Sequence, residues 1–333
     1  MRGHTHRRYQ KRKLRKRNLT RKILIGGARE GRSNMQANTN PVHAPLPGPC
    51  QCHPRIGKEQ PSGGCFPTEV LQGAAQTLGV LTGGAKKGKG KGKAEAGPSS
   101  LLHRVAKHLG VDPNNQRSLL QALPLNDQEK QELALKWLRP PLPPGWKEDP
   151  DMWLDSNNIR DVMKQYEEAK PSVRFMGPYP IDFAAPDPYE KGKPVEKREC
   201  LIDEMCDLDL KKEAARGIEH IGFSFNLDPH YKDGSHWVSA YINIPKKQCY
   251  YFDSYGMKPP RQIYKFMQWL TLQEPTMELG WNGRRFQRKE SECGMYTLYF
   301  LDRMIAGEPF LKFCRRQPPD SLMLDLRDWF YST

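Results

Sequence analysis

One cysteine stands where a polar loop runs into an apolar segment. Residues 287–292 are polar, Cys293 is followed by Gly294, and residues 295–301 are mostly apolar. A helix that begins at Cys293 would direct its partial positive charge and free N–H groups at the sulfur, which favours the thiolate. A thiolate attacks carbonyl carbons, whereas a thiol barely does. Cys293 is therefore a candidate nucleophile, set against the alternative that it is a buried apolar residue.

Nucleophilic cysteine chemistry also needs a base and a group that orients this base. His236 opens one predicted strand and Asp253 closes the next. A hairpin would bring this imidazole and this carboxylate close together. His236 alone would more often be structural, and the combination with Asp253, Gln287 and Cys293 is what favours catalysis. The competing thiols, Cys249 and Cys314, do not stand at a helix start with a small neighbour.

The segments that carry these residues predict an α+β domain. Alternating apolar residues favour strands over 218–225, 236–244 and 248–252, and turn residues separate them. A helix is predicted over 261–272, an extended piece over 277–286, and a helix from Cys293 to about Ile305 that Gly307 ends. Strands grouped before and between helices are typical of the α+β class.

The amino-terminal part of the chain divides into a tail and a helical arm. Residues 1–98 are rich in Gly, Pro, Lys and Arg with few aromatic residues, which predicts a mostly disordered tail. Residues 99–140 predict short helices, with Asn126 and Glu129 forming a capping box. A proline-rich link then opens the main domain, residues 141–333.

The positive charge is concentrated in the tail. The net charge is +15, with 53 Lys and Arg against 38 Asp and Glu. Residues 1–27 hold eleven basic and no acidic residues, and residues 86–93 hold five more lysines. Without these sixteen, 37 basic residues face the 38 acidic ones. Such a tail predicts binding to DNA or another anionic surface, or a targeting or solubility segment.

The cysteines and the hydropathy indicate a soluble, intracellular protein. The eight cysteines are irregularly spaced, and no secretory signal or apolar run of membrane-spanning length is found. We therefore expect reduced thiols. Cys50, Cys52, His53 and Cys65 resemble half of a zinc site, but a second close ligand pair is missing. We expect no metal and no organic cofactor.

The order His236, Asp253, Gln287, Cys293 resembles the SUMO-protease-like and adenovirus-protease-like cysteine peptidases. The spacings are seventeen residues from His236 to Asp253 and six from Gln287 to Cys293. This resemblance implies a papain-like core in permuted order, in which a small mixed or antiparallel sheet is flanked by helices. Glu292 departs from the aspartate that many members carry before the nucleophile.

The resemblance also implies a role for each residue. Cys293 would be the nucleophile, His236 the base and then the acid, and Asp253 its orienter. Gln287 would donate to the oxyanion beside the backbone N–H of Cys293. The groove would be lined by Trp153, Leu154 and Trp237.

The substrate that the resemblance implies is a Gly-Gly sequence. Trp237, next to the base, could roof a channel so narrow that any Cβ would clash. Two Leu-Xaa-Gly-Gly sequences, ending at Gly27 and Gly84, stand in the tail and precede alanines. They are candidate self-cleavage sites, although Gly-Gly pairs also arise by chance in a glycine-rich segment.

The motifs most resemble the maturation proteases of large DNA viruses, of the African swine fever virus and iridovirus type. The resemblance implies structural precursors with Gly-Gly-X sites as partners, and a place in the virion and the infected-cell cytoplasm. One alternative is an isopeptidase that removes a ubiquitin-like modifier. Another is an inactive nucleic-acid-binding structural protein, and a more distant one is an acetyltransferase with a similar site.

Overall fold

The computed structural model describes residues 23–26, 52–53, 64–80, 98–190 and 192–332. These residues fall into two compact units. The sheet unit takes the described residues within 1–34, 149–163 and 170–324, and the helical unit takes those within 35–148, 164–169 and 325–333.

The sheet unit is built on one mixed sheet. Its strands are β1 (Ile23–Gly26), β2 (Val173–Pro180), β3 (His220–Asn226), β4 (Trp237–Asn243), β5 (Gln248–Phe252) and β6 (Glu278–Asn282), in the order β1-β6-β5-β4-β3-β2. Strands β3, β4 and β5 form an antiparallel meander, whereas β1 with β6, β6 with β5, and β2 with β3 are parallel pairs. The predicted α+β class with a small mixed sheet and flanking helices is confirmed.

The described helices are α1 (Thr68–Thr77), α2 (Pro98–Leu109), α3 (Gln116–Ala122), α4 (Asp127–Trp137), α5 (Ser156–Ala169), α6 (Asp203–Cys206), α7 (Leu210–Ala215), α8 (Arg261–Gln273), α9 (Cys293–Ile305), α10 (Phe310–Arg315) and α11 (Asp320–Phe330). Short 3₁₀ helices cover Pro144–Lys147 and Val195–Lys197. No helix in this described part of the chain is long and apolar enough to cross a membrane.

The core of the sheet unit covers the central strands on both faces. Strand β4 is buried along its whole length, and β3 is buried except at Asn226. Sheets that are covered on both faces carry apolar residues almost continuously, which explains why the alternation in these strands is imperfect. Helix α9 packs against β4, so the helix that begins at Cys293 is seated on the strand that follows His236.

The helical unit contains the helices predicted for residues 99–140. The capping box at the start of α4 is present, since Asn126 accepts from the backbone N–H of Glu129 and Glu129 accepts from that of Asn126. Gly110, with φ of 71°, ends α2. Buried residues of α1, α2 and α3 form a common apolar core with Trp137 and Leu138.

The prediction of reduced thiols is wrong for four cysteines. Cys52 is disulfide-bonded to Cys65, and Cys200 to Cys206. Cys52 and Cys65 therefore pair with each other and do not form half of a zinc site. The spacing in the sequence could not reveal this, because disulfide pairing depends on which Cα atoms the fold brings within reach.

Regular structure also occurs within residues 1–98, where the composition predicts little. Strand β1 and helix α1 both lie there. A four-residue strand has no stability of its own, and β1 forms because β6 offers an edge to pair with. Cys50 and the basic residues before Ile23 lie outside the described residues.

Candidate active site

The β4–β5 hairpin brings His236 and Asp253 together. His236 immediately precedes β4, Asp253 immediately follows β5, and the two strands are antiparallel neighbours in which Ser239 pairs with Phe252. The imidazole Nε2 lies 2.8 Å from Oδ1 of Asp253. The Asp253 side chain is 2 % exposed, so this ion pair is shielded from water. The predicted proximity of the two side chains is thus observed.

The surroundings of His236 favour its charged form. Burial opposes the charge, but the hydrogen bonds to Asp253 and to Cys293 outweigh it and raise the pKa of His236 to about 9. Because Nε2 is bound to Asp253, the remaining ring nitrogen, Nδ1, serves the thiol. At neutral pH the imidazole is thus a cation held between a carboxylate and a sulfur.

Cys293 is the first residue of α9, as predicted from the sequence. Glu292, the N-cap residue, is fully buried and accepts a hydrogen bond from the Ser291 hydroxyl. The backbone N–H groups of the first helical turn have no partner within the helix. The sulfur therefore lies at the positive end of the helix dipole, and its hydrogen bond to His236 is one of the contacts that raise the pKa of that imidazole.

The other two free cysteines of the described residues lack such surroundings. Burial raises the pKa of the Cys249 thiol to about 12. It also raises the pKa of Cys314 to about 12, against a weaker opposing effect of Arg284. Both thiols are therefore neutral at pH 7 and buried in the apolar core.

Gln287 has a buried amino group without a partner. The side chain is fully buried, and its Oε1 accepts from the Ser254 hydroxyl at 2.7 Å. Its Nε2 has no hydrogen-bond partner among the described residues. An unpaired buried donor costs about 1–3 kcal/mol, so such a group needs an explanation. A negatively charged ligand atom at this position would satisfy it.

The residues predicted for the groove are linked to one another. Trp237 donates its indole N–H to the backbone oxygen of Leu154 at 2.8 Å. Leu154 in turn packs on Gly294, where an added Cβ would lie 2.8 Å from Cβ and Cδ1 of Leu154. The glycine after Cys293 is thus required by the approach of Leu154. Trp153 is 47 % exposed and free to contact a ligand.

Residues that the sequence did not single out support this site. The Asn282 side chain bonds both the backbone N–H and the backbone oxygen of Asp253. Tyr255 stacks on the His236 ring with a centroid distance of 4.7 Å. The Asp320 carboxylate accepts from the backbone N–H groups of Arg288 and Lys289 and from the Tyr296 hydroxyl. Of these residues, only Tyr255 has a signal in the sequence, because it lies two residues after Asp253.

Some predicted site residues lie outside the described residues, namely Gly27 and Gly84, the candidate self-cleavage positions. Strand β1 ends one residue before Gly27. Within the described ranges, no group of three or more His, Cys, Asp and Glu side chains is placed to hold a metal ion.

One known protein family matches the part of the chain that carries most of this site. Residues 192–317 match the model of the Ulp1 protease family, C-terminal catalytic domain. This range includes His236, Asp253, Gln287 and Cys293, but not Trp153 and Leu154.

Similar proteins occur in large DNA viruses. The chain is 29% identical over 163 residues to a protein of Acanthamoeba polyphaga mimivirus named as a thiol protease, covering 47% of this chain and 49% of that protein. It is 26% identical over 124 residues to the SUMO-1 cysteine protease of African swine fever virus, covering 35% of this chain and 45% of that protein. The chain thus spans about half the length of the curated relatives it matches.

A solved structure shares the fold. The crystal structure of the African swine fever virus protease superposes with a TM-score of 0.50 at 15% identity, covering 86% of this chain and 97% of that one.

Proposed function

We propose that this chain, whose residues 192–317 form a Ulp1-family catalytic domain, is a thiol endopeptidase that cleaves after Gly-Gly in viral structural precursor proteins during virion maturation. One observation carries the proposal: the His236 imidazole is joined to Asp253 on one side and to Cys293 on the other, with a pKa raised to about 9. A thiol at a helix start beside an imidazole that can take its proton, with a carboxylate that orients this imidazole, is what nucleophilic attack on an amide requires.

The reaction follows from this arrangement. The Cys293 thiolate forms a bond to the scissile carbonyl carbon, and the C=O electron pair moves to the oxygen. Nε2 of Gln287 and the backbone N–H of Cys293 receive this oxyanion. A preorganised donor of this kind lowers the barrier by about 3 kcal/mol. The His236 imidazolium then gives its proton to the leaving nitrogen as the C–N bond breaks. The now neutral imidazole takes a proton from water, and the oxygen of this water forms a bond to the thioester carbon. The C–S bond then breaks, which releases the carboxylic acid product and restores the Cys293 thiolate and the His236 imidazolium.

Glycine selectivity is supported by the crowding around Cys293. Trp237 is bonded to Leu154, and Leu154 touches Gly294 directly after the nucleophile. A substrate that reaches Cys293 past Trp237 passes these buried side chains, and residues without a Cβ fit best. The viral origin of the similar proteins supports precursor proteins as substrates and the virion and infected-cell cytoplasm as the location. Detection of the chain in purified virions by immunoblotting tests the location.

Self-processing is part of the proposal. Leu24-Ile25-Gly26-Gly27 and Leu81-Thr82-Gly83-Gly84 each precede an alanine. Purified protein is incubated beside Cys293→Ala, and new amino termini are sequenced. We expect termini at Ala28 or Ala85 in the active sample only, and their absence would contradict self-processing.

The basic tail is proposed to bind DNA. Its sixteen clustered lysines and arginines would release counterions on binding, so the affinity should fall steeply between about 50 and 200 mM salt. Fluorescence anisotropy with the full chain and with a chain lacking residues 1–22 measures this. Equal affinity of the two chains would contradict a role of this segment.

An isopeptidase that removes a ubiquitin-like modifier is the second candidate. It is favoured by the family description and by the African swine fever virus relative, which is named a SUMO-1 cysteine protease. Both candidate functions use the same catalytic site. They differ in the substrate that precedes the scissile bond, which is a precursor protein for the endopeptidase and a ubiquitin-like modifier for the isopeptidase.

One experiment separates the candidates. The protein is given a Leu-Ile-Gly-Gly-Ala peptide and, separately, a SUMO conjugate, with Cys293→Ala as the inactive control and Cys249→Ala as the matched thiol control. We expect cleavage of the peptide by the wild type and Cys249→Ala. Cleavage of the conjugate alone would favour the isopeptidase. If Cys293 is alkylated no faster than Cys249 and Cys314 near pH 7, the enzyme proposal fails and the inactive nucleic-acid-binding alternative is favoured.

A further inference from the structure

Within the part of the chain that the structure describes, Ser254 makes the one hydrogen bond to the carboxamide of Gln287. The Ser254 hydroxyl is 1 % exposed and lies 2.7 Å from Oε1 of Gln287. A carboxamide offers two donors on nitrogen and two acceptor sites on oxygen. With the oxygen engaged by Ser254, the amide plane is held and the amino group turns away with its protons unbonded.

The backbone of Ser254 also holds the loop that carries Gln287. Its carbonyl oxygen accepts from the backbone N–H of Phe286 at 2.7 Å and from that of Gln287 at 3.0 Å. Two residues on, Gly256 has φ of 75°, and a Cβ there would lie 2.5 Å from the carbonyl carbon of Arg284. The two backbone hydrogen bonds hold the two loops together, and the absence of a Cβ at Gly256 allows this close approach.

Arg285 adds a link between the same loops. Its Nε donates to the backbone oxygen of Gln287 at 2.6 Å, and its guanidinium lies 4.9 Å from the centre of the Tyr255 ring. Tyr255 is the ring that stacks on His236. The segments around Asp253 and around Gln287 are therefore cross-bonded at several points.

We propose that Ser254 is a positioning residue of the oxyanion site: its hydroxyl donates to Oε1 of Gln287 and so holds Nε2 towards the oxyanion of the tetrahedral adduct that forms on Cys293. This inference rests on the proposed protease function. Donation to Oε1 also polarises the amide, which makes the N–H groups better donors. His236 and Gln287 are thus positioned by Asp253 and Ser254, which are adjacent residues of one short turn.

The test compares two reagents that react at the same sulfur. Iodoacetamide alkylates Cys293 by displacement of iodide and creates no oxyanion. A peptide aldehyde ending in Gly-Gly adds the sulfur to its carbonyl carbon, and the C=O electron pair moves to an oxygen that occupies the proposed site. The variants are Ser254→Ala, Gln287→Ala and the double variant. Ser224→Ala is the matched control, since Ser224 is a fully buried serine of β3 whose hydroxyl has no hydrogen-bond partner in the described ranges.

We expect Ser254→Ala to lower kcat for a Gly-Gly peptide by about 10-fold and to change KM by less than about 3-fold. Removal of a whole oxyanion donor typically lowers kcat by about 10²–10³-fold, and loss of the residue that positions this donor should cause only a part of that loss. Aldehyde affinity should fall by a similar factor, whereas the rate of alkylation should stay within about 2-fold of wild type. In the Gln287→Ala background, Ser254→Ala should add little, because coupled residues are not additive. Ser224→Ala should behave as the wild type.

Three results would overturn the proposal: wild-type kcat in Ser254→Ala, a parallel loss of alkylation rate, or full additivity with Gln287→Ala. If the proposed protease function itself is wrong, the result is different. In that case the wild type neither cleaves the peptide nor binds the aldehyde.

Discussion

Two histidines, at opposite ends of the β3–β4 pair, are buried to the same extent but differ in charge. His236 precedes β4, and His220 opens β3, where it pairs with Asn243 at the far end of β4. Each side chain is 11 % exposed. The pKa of His236 is raised to about 9, whereas that of His220 is lowered to about 4.

The partners account for the difference. His220 is buried, its Nε2 lies 3.2 Å from the ammonium group of Lys170, and its Nδ1 lies 2.6 Å from the Tyr241 hydroxyl. Burial, and next the Lys170 charge, lower its pKa, and Glu219 opposes them only in part. His236 faces a carboxylate and a thiol instead. Burial alone therefore does not distinguish a catalytic histidine from a structural one, whereas the sign of the neighbouring charge, which sets the direction of the pKa shift, does.

The largest expected effect comes from removing the carboxylate that distinguishes His236. We predict that Asp253→Asn lowers kcat/KM by about 10³–10⁴-fold, as in catalytic triads whose orienting carboxylate becomes an amide. The pKa of His236 should fall, so the alkaline limb of the rate profile should move to lower pH. Rates measured from pH 6 to 10 test this, with Tyr241→Phe at the His220 end as control. Retention of a tenth of the activity by Asp253→Asn would contradict the role of Asp253.

The next comparison is between two glycines, Gly294 beside Cys293 and Gly222 in β3. In Gly294→Ala the new Cβ would meet Leu154 at 2.8 Å, close to the backbone of Leu154, so Leu154 and Trp237 have to shift. We predict a loss of kcat/KM on the order of 10²-fold and a free energy of unfolding lower by about 1–3 kcal/mol.

The control for that substitution is Gly222→Ala in β3. Its Cβ would meet the Cδ2 methyl of Leu301 at 3.2 Å, and the end of a leucine side chain can give way. Activity should therefore stay within about 2-fold of wild type. If both variants lose activity equally, the contact between Leu154 and Gly294 has no special role.

The pH dependence of the wild type tests the environment of His236 directly. Its folded pKa is raised above the ordinary value of 6.5, so the charged pair is fully present below pH 6.5 and is lost as the pH rises through about 9. We predict that kcat/KM falls above about pH 9, together with a small loss of thermal stability. Activity that is undiminished at pH 10 would contradict this environment.

The smallest effect is expected at His220. Its folded pKa is lowered, so the stability that it contributes is present above pH 6.5 and is lost as the pH falls towards 4. We predict that His220→Gln leaves kcat unchanged and makes the urea midpoint less dependent on pH between 6.5 and 4. Equal acid sensitivity of the variant and the wild type would show that the pair of His220 and Lys170 has no influence.

The sequence allowed a good prediction of the elements that carry the site. The meander was predictable because turn residues separate apolar runs, and the start of α9 because a polar loop meets an apolar segment at Cys293. The proximity of His236 to Asp253 followed from the hairpin alone. In each case the signal lies within a few neighbouring residues.

The supporting contacts could not be predicted, because they join distant residues through the fold. Asn282 and Asp320 bond backbone groups, which any residue type offers, so their positions carry no pattern in the sequence. The Cys52–Cys65 and Cys200–Cys206 disulfides depend likewise on Cα distances that no spacing reveals. Strand β1 was missed because its partner, β6, lies near the other end of the chain.

The parallel pairing of β1 with β6 determines what a cut after Gly27 would release. Strand β1 lies on the amino-terminal side of that bond, so a nicked chain would keep it only through the β6 edge and its local contacts. An intact chain supplies its own strand at an effective concentration in the millimolar range, whereas a severed peptide dissociates on dilution. Gel filtration of nicked protein at falling concentration, with mass spectrometry of the peptide, would follow this loss. Cleavage after Gly27 would thereby convert β1 from a covalently attached strand into a separate peptide that can dissociate from β6 and rebind.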